Sequence, residues 1–206
     1  GFGARGNKVN NSIRDVFKFA RKTLVLFTPY FNLPKILSKD LKKTLDRGVK
    51  VTMVIGDKTA NDFYIASEED FSKIGIIPYI YELLLVRFIK RHQKYIDSGL
   101  LNVHLWKNES HSFHLKGMVA DDRNHLITGN NLNPRAWALD LENALLLEDN
   151  EQLLKDKWHD ELSNVLQFTK KVGHSDELEN MADYPKYVRD PIRKLQLTQI
   201  DKIFKR

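Results

Sequence analysis

The stretch LVLFTPYFNLPKILSKDLKKTLDRGVKVTMVI, residues 24–55, decides the fold. Its first four residues, 24–27, form an apolar run that predicts a buried strand. Pro34 then begins a helix with apolar residues at helical spacing, and Gly48 ends that helix before a second apolar run at 49–55. Strand, helix and strand in this order predict a βαβ unit, and hence an α/β fold.

Patterns on either side of this unit continue the alternation of helices and strands. A helix capped by Ser12 precedes the unit, and a helix over 79–97 follows it. Strands are predicted at 100–106, around 113–119, at 125–128 and at 143–148, with DDRN as the turn at 121–124. A last helix is expected to be capped near Asn150. The order predicts a sheet between layers of helices.

The composition favours one globular domain of 206 residues, of which 42% are hydrophobic and 29% charged. No stretch approaches the roughly 20 apolar residues that a transmembrane helix needs, and the first residues do not resemble a secretory signal. Because the chain has no cysteine, disulfides and Cys-ligated zinc are excluded. These features predict a cytoplasmic protein.

Charge is concentrated at the C-terminus. Residues 186–206 hold seven Lys or Arg and two Asp, so five of the six net positive charges lie there. Such a segment favours a polyanionic partner, either an anionic membrane or nucleic acid, although a solubilising terminus is the simpler alternative. We therefore expect a domain at 1–172 and a basic extension at 173–206. The membrane contacts are assigned to Lys186, Arg189, Arg193, Lys194 and Lys202.

The segment FHLKGMV, residues 113–119, carries the candidate chemistry. Alternation along a strand would place His114 and Lys116 on the same face. An imidazole can act as a base, an acid or a nucleophile near neutral pH, and an ammonium group can stabilise charge on a five-coordinate phosphorus. Alone, an exposed His-x-Lys pair is more commonly a solvated surface feature.

A wider pattern surrounds this pair. Asp121 completes the spacing His-x-Lys-x4-Asp, and TGNN at 128–131 lies where the phospholipase D superfamily has Gly-Ser-x-Asn. The chain therefore resembles one half of a superfamily site, known as the HKD motif. Because Asp121 is seven positions from His114 and out of phase with it, we expect a supporting role for it near the turn.

The resemblance implies roles for two further residues. Asn131 would help to hold the phosphate, and Glu142 in LDLENALLL would accept the Nδ1 proton of His114 and so expose Nε2. Thr128-Gly129 departs from the usual Gly-Ser and removes a hydroxyl ligand. Backbone N–H groups or Asn130 would then have to replace that hydroxyl.

Longer segments extend the resemblance over nearly the whole chain. They are TPYFNLP (28–34), GDKTANDFYI (56–65), ITGNNLNPRAW (127–137), LDLENALL (139–146) and ADYPKYVRDPIRKL (182–195). Together they resemble the C-terminal half of the bacterial CDP-diacylglycerol–serine O-phosphatidyltransferases. This implies a phospholipase-D-like α/β/α sandwich with a mixed sheet. It also implies transfer of a phosphatidyl group from CDP-diacylglycerol to L-serine through a phosphohistidine, with release of CMP and without a metal or other cofactor.

Superfamily sites combine two HKD motifs, and this sequence has one. The resemblance implies that the partner motif lies in an N-terminal half of the same enzyme, or in a second copy of this chain. Polar residues near strand ends are the candidates for substrate contacts. They are Tyr30, Asn32, Asp57, Lys58, Asn130 and Asn133.

Other functions of the same superfamily stay open. A phospholipase D or a cardiolipin-type synthase would differ only in the acceptor. A nuclease would suit a basic tail, but the longer motifs make nucleic acid an improbable partner. A half-site alone could also be a non-catalytic, membrane-binding module. The preferred hypothesis is a peripheral membrane phosphatidyltransferase.

Overall fold

The computed structural model describes residues 7–197. Seven strands occur there: β1 (Thr23–Thr28), β2 (Lys50–Gly56), β3 (Leu101–Trp106), β4 (Gly117–Ala120), β5 (Asn124–Thr128), β6 (Ala144–Glu148) and β7 (Thr169–Val172). The α-helices in the same range are α1 (Lys8–Phe19), α2 (Lys35–Asp46), α3 (Ile77–Asp97), α4 (Pro134–Ala138), α5 (Lys155–Leu166) and α6 (Lys186–Leu197). No helix within this range is both long enough and apolar enough to cross a bilayer.

All seven strands form one mixed sheet in the order β6-β5-β4-β1-β2-β3-β7. The central strands β1, β2 and β3 are parallel, as the predicted βαβ unit requires, and the remaining pairs are antiparallel. Apolar residues of successive strand positions point to opposite faces. One face packs on α1, α2 and α3, and the other packs on α5. The predicted α/β/α sandwich is confirmed.

The predicted starts of two helices were wrong because a different polar side chain binds the backbone there. Asn7, not Ser12, caps α1, and its side chain accepts a hydrogen bond from the backbone of Asn10. Before α5, the carboxylate of Asp149, rather than Asn150, accepts hydrogen bonds from two backbone N–H groups. Strand β7 was not predicted, because its sequence TKKV is too short and polar to show a strand pattern.

The strand expected around 113–119 is shorter than the pattern suggested. β4 begins only at Gly117, where φ is +151° and an added Cβ would lie 2.6 Å from the carbonyl oxygen of Leu126. An L-residue is disfavoured in this conformation. The predicted shared strand face for His114 and Lys116 was therefore wrong, because both residues lie in an irregular segment that precedes the strand.

Asp121 lies at the opposite end of β4 from His114. It begins the turn between β4 and β5 with a φ of +56°, and its carboxylate accepts hydrogen bonds from the backbone N–H groups of Arg21, Lys22 and Thr23 at 2.7–2.8 Å. These bonds fix the start of β1. Four strand residues separate the two ends by about 13 Å, so Asp121 supports the sheet rather than touching the predicted reacting atoms.

The C-terminal segment packs against the start of α3. Val188 and Ile192 on α6 are fully buried against an aromatic cluster that includes Tyr79 and Tyr184.

Beside this cluster, the ammonium of Lys58 contacts the carboxylates of Glu82 at 2.8 Å and Glu179 at 2.5 Å. The hydroxyl of Tyr184 also donates to Glu82. Burial raises the pKa of Glu82, and the Lys58 ammonium opposes that shift.

Replacing Asp121 should reduce stability without a direct effect on chemistry. Asp121→Ala removes three charge-assisted hydrogen bonds and places alanine at positive φ, so we expect a loss of about 3 kcal/mol in the free energy of unfolding. Asp121→Asn keeps one acceptor, and asparagine tolerates the positive φ of the turn, so the loss in the free energy of unfolding should be smaller. Urea unfolding measures both. Full stability combined with lost activity would show that Asp121 takes part in the reaction.

The Lys58 cluster should hold the C-terminal segment in place. Lys58→Met leaves the buried carboxylate of Glu82 without its cation, which should cost about 3 kcal/mol and expose the region around residue 179 to limited proteolysis. Lys107→Met at a nearby position is the matched control. Equal protease resistance in the two variants would contradict the role given to Lys58.

Candidate active site

Strand register brings the predicted site segments to one end of the sheet. Gly117 pairs with Phe27 on one side and with Ile127 on the other. The residues just beyond these positions therefore lie side by side: the segment before β4, the loop after β1 and the loop after β5. The segment before β6 joins them, because Thr128 pairs with Ala144.

The segment that carries His114 is anchored by Phe113. Its backbone N–H donates to the carbonyl oxygen of Ala60 at 3.0 Å, and its buried ring packs against Trp106 with a centroid distance of 5.1 Å. Gly56 permits this close approach, since an added Cβ would lie 3.1 Å from the Cβ of Phe113 and 2.7 Å from the carbonyl oxygen of Pro29. These contacts place the neighbouring His114 although no strand holds it.

His114 is hydrogen-bonded to Asp62. The distance from Nε2 to Oδ1 is 3.0 Å, and 55% of the imidazole is exposed. Burial alone would raise the pKa of Asp62, but hydrogen bonds with Ser112 and His114 outweigh that effect and lower it. The hydroxyl of Tyr30 approaches the other carboxylate oxygen at 3.5 Å. The sequence placed Asp62 in a polar segment after β2 but gave no sign that it would contact His114.

Tyr30 borders this pair and stacks on Tyr81 of α3, with ring centroids 5.4 Å apart. Burial is the largest of the effects that raise the pKa of Tyr30 to about 12, and the neighbouring Asp62 carboxylate adds to it. The phenol is therefore protonated at neutral pH and can donate to Asp62. Of the six predicted substrate contacts, Tyr30 is the one that the structure brings to the His114 pair.

Glu142 does not hold His114 in this structure. Its carboxylate lies against Gly129, where an added Cβ would collide with it. A side chain at residue 129, such as the serine usual there, would require the carboxylate of Glu142 to move. The predicted Nδ1 bond was wrong for this arrangement, because Asp62 contacts the ring and does so through Nε2.

Lys116 and Asn131 supply polar groups at the same end of the sheet. The ammonium of Lys116 donates to the backbone carbonyl of His114 at 2.8 Å, so it stays within reach of the imidazole. The side-chain oxygen of Asn131 is buried and has no hydrogen-bond partner among residues 7–197. The backbone of Asn131 is fixed by Thr28, whose hydroxyl donates to its carbonyl oxygen at 2.8 Å. Asn131 thus has a free acceptor.

Two asparagines near Asn131, both predicted to contact substrate, have structural roles in the loop. Asn130 is buried, and its side-chain oxygen accepts from the backbone of Leu132 at 2.8 Å. Asn133 caps α4 by accepting from the backbone of Ala136. Both side-chain oxygens are used to shape the loop, and the assignment of the two residues as substrate ligands stays a prediction.

The other predicted substrate contacts also lie away from His114. Asp57 caps the short 3-10 helix Lys58–Ala60 by accepting from Thr59, and Lys58 belongs to the buried cluster with Glu82. Asn32 is buried and faces a groove between α2 and α3. Sequence could not separate capping and packing roles from ligand roles for these residue types.

The residues predicted to contact a membrane differ in their exposure in the structure. Lys186, Arg193 and Lys194 have exposed side chains on α6, whereas Arg189 is partly buried. Lys202, with Ile200, Ile203 and Phe204, lies outside the described residues. The apolar residues Val188 and Ile192 pack inward, so they are part of the protein's own core.

This arrangement can perform proton transfer and nucleophilic attack. An accessible imidazole is held by a carboxylate, and an ammonium group is bonded to the backbone carbonyl of the same residue. A carboxylate partner stabilises the imidazolium form that arises during attack or proton abstraction. The imidazole is open to solvent, so a second surface is needed to enclose a substrate there.

Comparison with known proteins agrees with this geometry. The chain is 46% identical to the CDP-diacylglycerol–serine O-phosphatidyltransferase of Escherichia coli, over 98% of this chain and 45% of that protein. It is also similar to the crystal structure of phosphatidylserine synthase from Haemophilus influenzae, with a TM-score of 0.95, 44% identity, and coverage of 100% and 46% of the two chains.

A more distant structure shares the fold alone: the phospholipase D family member Nuc of Salmonella typhimurium, with a TM-score of 0.51, 15% identity, and coverage of 78% of this chain and 88% of that one. The chain spans less than half the length of the two transferases that it matches. The family model described as "Cardiolipin synthase, PLD-like domain" matches residues 13–165. The chain therefore belongs to the phospholipase-D-like family.

Proposed function

We propose that this chain supplies one HKD half-site of an enzyme that transfers a phosphatidyl group from CDP-diacylglycerol to L-serine. The observation that carries the proposal is the exposed imidazole of His114, held by Asp62, with the ammonium of Lys116 bonded to the backbone of the same residue. The similarity to two serine phosphatidyltransferases selects this reaction among those of the family.

The reaction has two displacements at phosphorus. In the first, a histidine nitrogen attacks the phosphorus that bears diacylglycerol, the bond to the CMP oxygen breaks, and a phosphatidyl-histidine forms. In the second, the serine hydroxyl loses its proton to a base and attacks that phosphorus, and the P–N bond breaks. His114 would serve either as the nucleophile or as the acid and base, and Lys116 would stabilise charge on the phosphoryl oxygens.

A second HKD motif would complete the site. Two leucines beside Glu142, Leu139 and Leu141, are each 76% exposed, which is unusual for large apolar side chains in one loop. Contact with the N-terminal half of the same enzyme, or with a second copy of the chain, would bury them and close the solvent-exposed side of His114. This supports a half-site over an independent catalytic unit.

The substrate is a lipid, so we also propose a peripheral attachment to the cytoplasmic face of an anionic membrane. The exposed Lys186 and Arg193 of α6, with the basic residues that follow, favour this location. Each basic residue near an anionic surface contributes about 1 kcal/mol, and the attraction weakens as salt is added.

Removing the imidazole should abolish turnover. In the full-length enzyme, His114→Ala should eliminate serine-dependent CMP release from CDP-diacylglycerol while the protein stays folded. His111→Ala is the matched control, since His111 is an exposed histidine in the same segment and contacts the carbonyl oxygen of Asn108. Near-normal turnover by His114→Ala would disprove the half-site. CMP release that proceeds equally without serine would indicate a hydrolase instead of a transferase.

The carboxylate that positions His114 can be identified by a pair of substitutions. Asp62→Asn should lower kcat about 100-fold with little change in KM for serine, because loss of one group that stabilises developing charge costs about 2.7–4 kcal/mol. Asp70→Asn, an exposed carboxylate of the same region, serves as control. A large loss in Glu142→Gln with near-normal Asp62→Asn would show that the ring turns to Glu142 during catalysis.

A further inference from the structure

A groove of about 410 Å³ lies between the first turns of α2 and the middle of α3. Its floor is apolar and includes Leu33 and Leu84, which are both partly exposed. Four exposed cations surround it, Lys35 and Lys39 from α2 and Arg87 and Arg91 from α3. Among the described residues, no Asp or Glu lines the groove. The net charge of the chain outside its C-terminus, about +1, conceals this local concentration.

The four cations lack carboxylate partners within residues 7–197, whereas the nearby Lys42 on α2 is paired with Asp46 at 2.6 Å. Lys35 and Lys39 are four residues apart on one helix, as are Arg87 and Arg91 on the other. Like charges at this spacing repel each other and destabilise a helix. The repulsion is relieved when an anion binds between the two helices.

The backbone strengthens the positive potential of the groove. α2 begins at Lys35 after Pro34, and no side chain caps its first N–H groups. The N-terminus of a helix attracts anions through these groups and through the helix dipole. An anion that is held by the four cations therefore also lies near unsatisfied backbone donors.

We propose that this groove binds the headgroup phosphate of an anionic phospholipid in a membrane surface. The apolar floor at Leu33 and Leu84 suits the glycerol and upper acyl carbons that accompany such a phosphate. Cations four residues apart on a helix are separated by about 6 Å along the axis, so the four groups can converge on one or two phosphates. This site is separate from α6, and it does not depend on the proposed phosphatidyl transfer.

Its position would bring the lipid surface to the active site. The segment Phe31–Leu33 that lines the groove directly follows Tyr30, whose ring stacks on Tyr81 one turn before Leu84 on α3. A membrane that contacts the groove thus lies next to the sheet end that carries His114.

Vesicle co-sedimentation with the full-length protein tests the site. The variants Lys35→Gln/Lys39→Gln and Arg87→Gln/Arg91→Gln are compared with Lys43→Gln/Lys90→Gln, which removes two charges from the same helices outside the groove. On phosphatidylcholine vesicles that contain phosphatidylglycerol, each groove variant should bind roughly 30-fold more weakly at low salt, which corresponds to about 1 kcal/mol for each residue. The control pair should bind nearly as well as the unmodified protein. Thermal unfolding should show that all variants are folded, with the groove variants at least as stable as the unmodified protein.

A soluble probe separates lipid recognition from simple anion binding. Dihexanoyl phosphatidylglycerol, below its micellar concentration, should bind the unmodified protein and lose affinity in the groove variants, and inorganic phosphate should not compete at equal concentration. Equal losses in groove and control variants would overturn the proposal in favour of diffuse charge. Full competition by inorganic phosphate, or loss of oligonucleotide binding with unchanged vesicle binding, would also overturn it.

Discussion

No side chain can be accommodated at residue 117, and the arrangement of the candidate site depends on this constraint. The backbone of Gly117 comes so close to the carbonyl oxygen of Leu126 that an added Cβ would lie 2.6 Å from it. The sheet therefore starts abruptly at that residue on β4. The preceding segment is released from the strand ladder, and His114 is placed by Phe113 and Asp62 instead. In a regular strand through 113–119, the alternation of side chains along the strand would by itself have set the direction of the imidazole.

Sequence reasoning predicted the layers of the fold because they depend on periodic burial. Each element of the βαβ unit buries apolar residues that recur at the spacing of a strand or a helix. These elements are the run 24–27, the helix after Pro34 and the run 49–55, and the two runs are parallel strands in the structure. Helix ends were less predictable: Asn7 caps α1 and Asp149 binds the turn before α5, from positions that other polar residues could also have filled. The position of a cap depends on where the chain enters a turn, which hydrophobic spacing does not specify.

The sequence predicted the motif of the candidate site better than the hydrogen bonds that its residues make. The reactive pair was identified by the resemblance of the sequence to the HKD motif, whereas Asp62 approaches His114 across 52 residues of sequence. Asn130, Asn133, Asp57 and Lys58 have the same residue types as ligands, but their donors and acceptors are used by caps, loops and an internal ion pair. Asn131, which the resemblance to the motif had already indicated, differs from them in that its side-chain oxygen has no partner in the described part of the chain.

The contact between Lys58 and Glu179 joins two parts of the chain that are far apart in the sequence. Residue 58 lies in the turn that leads to Asp62, and residue 179 lies beyond the last strand, between β7 and α6. A recombinant fragment that stops at residue 172 would end neatly after the sheet, yet it would lack both this carboxylate and the aromatic cover of Tyr184. The natural place to divide the polypeptide is therefore not the edge of the sheet, and shortened versions for crystallisation or assay need to retain α6.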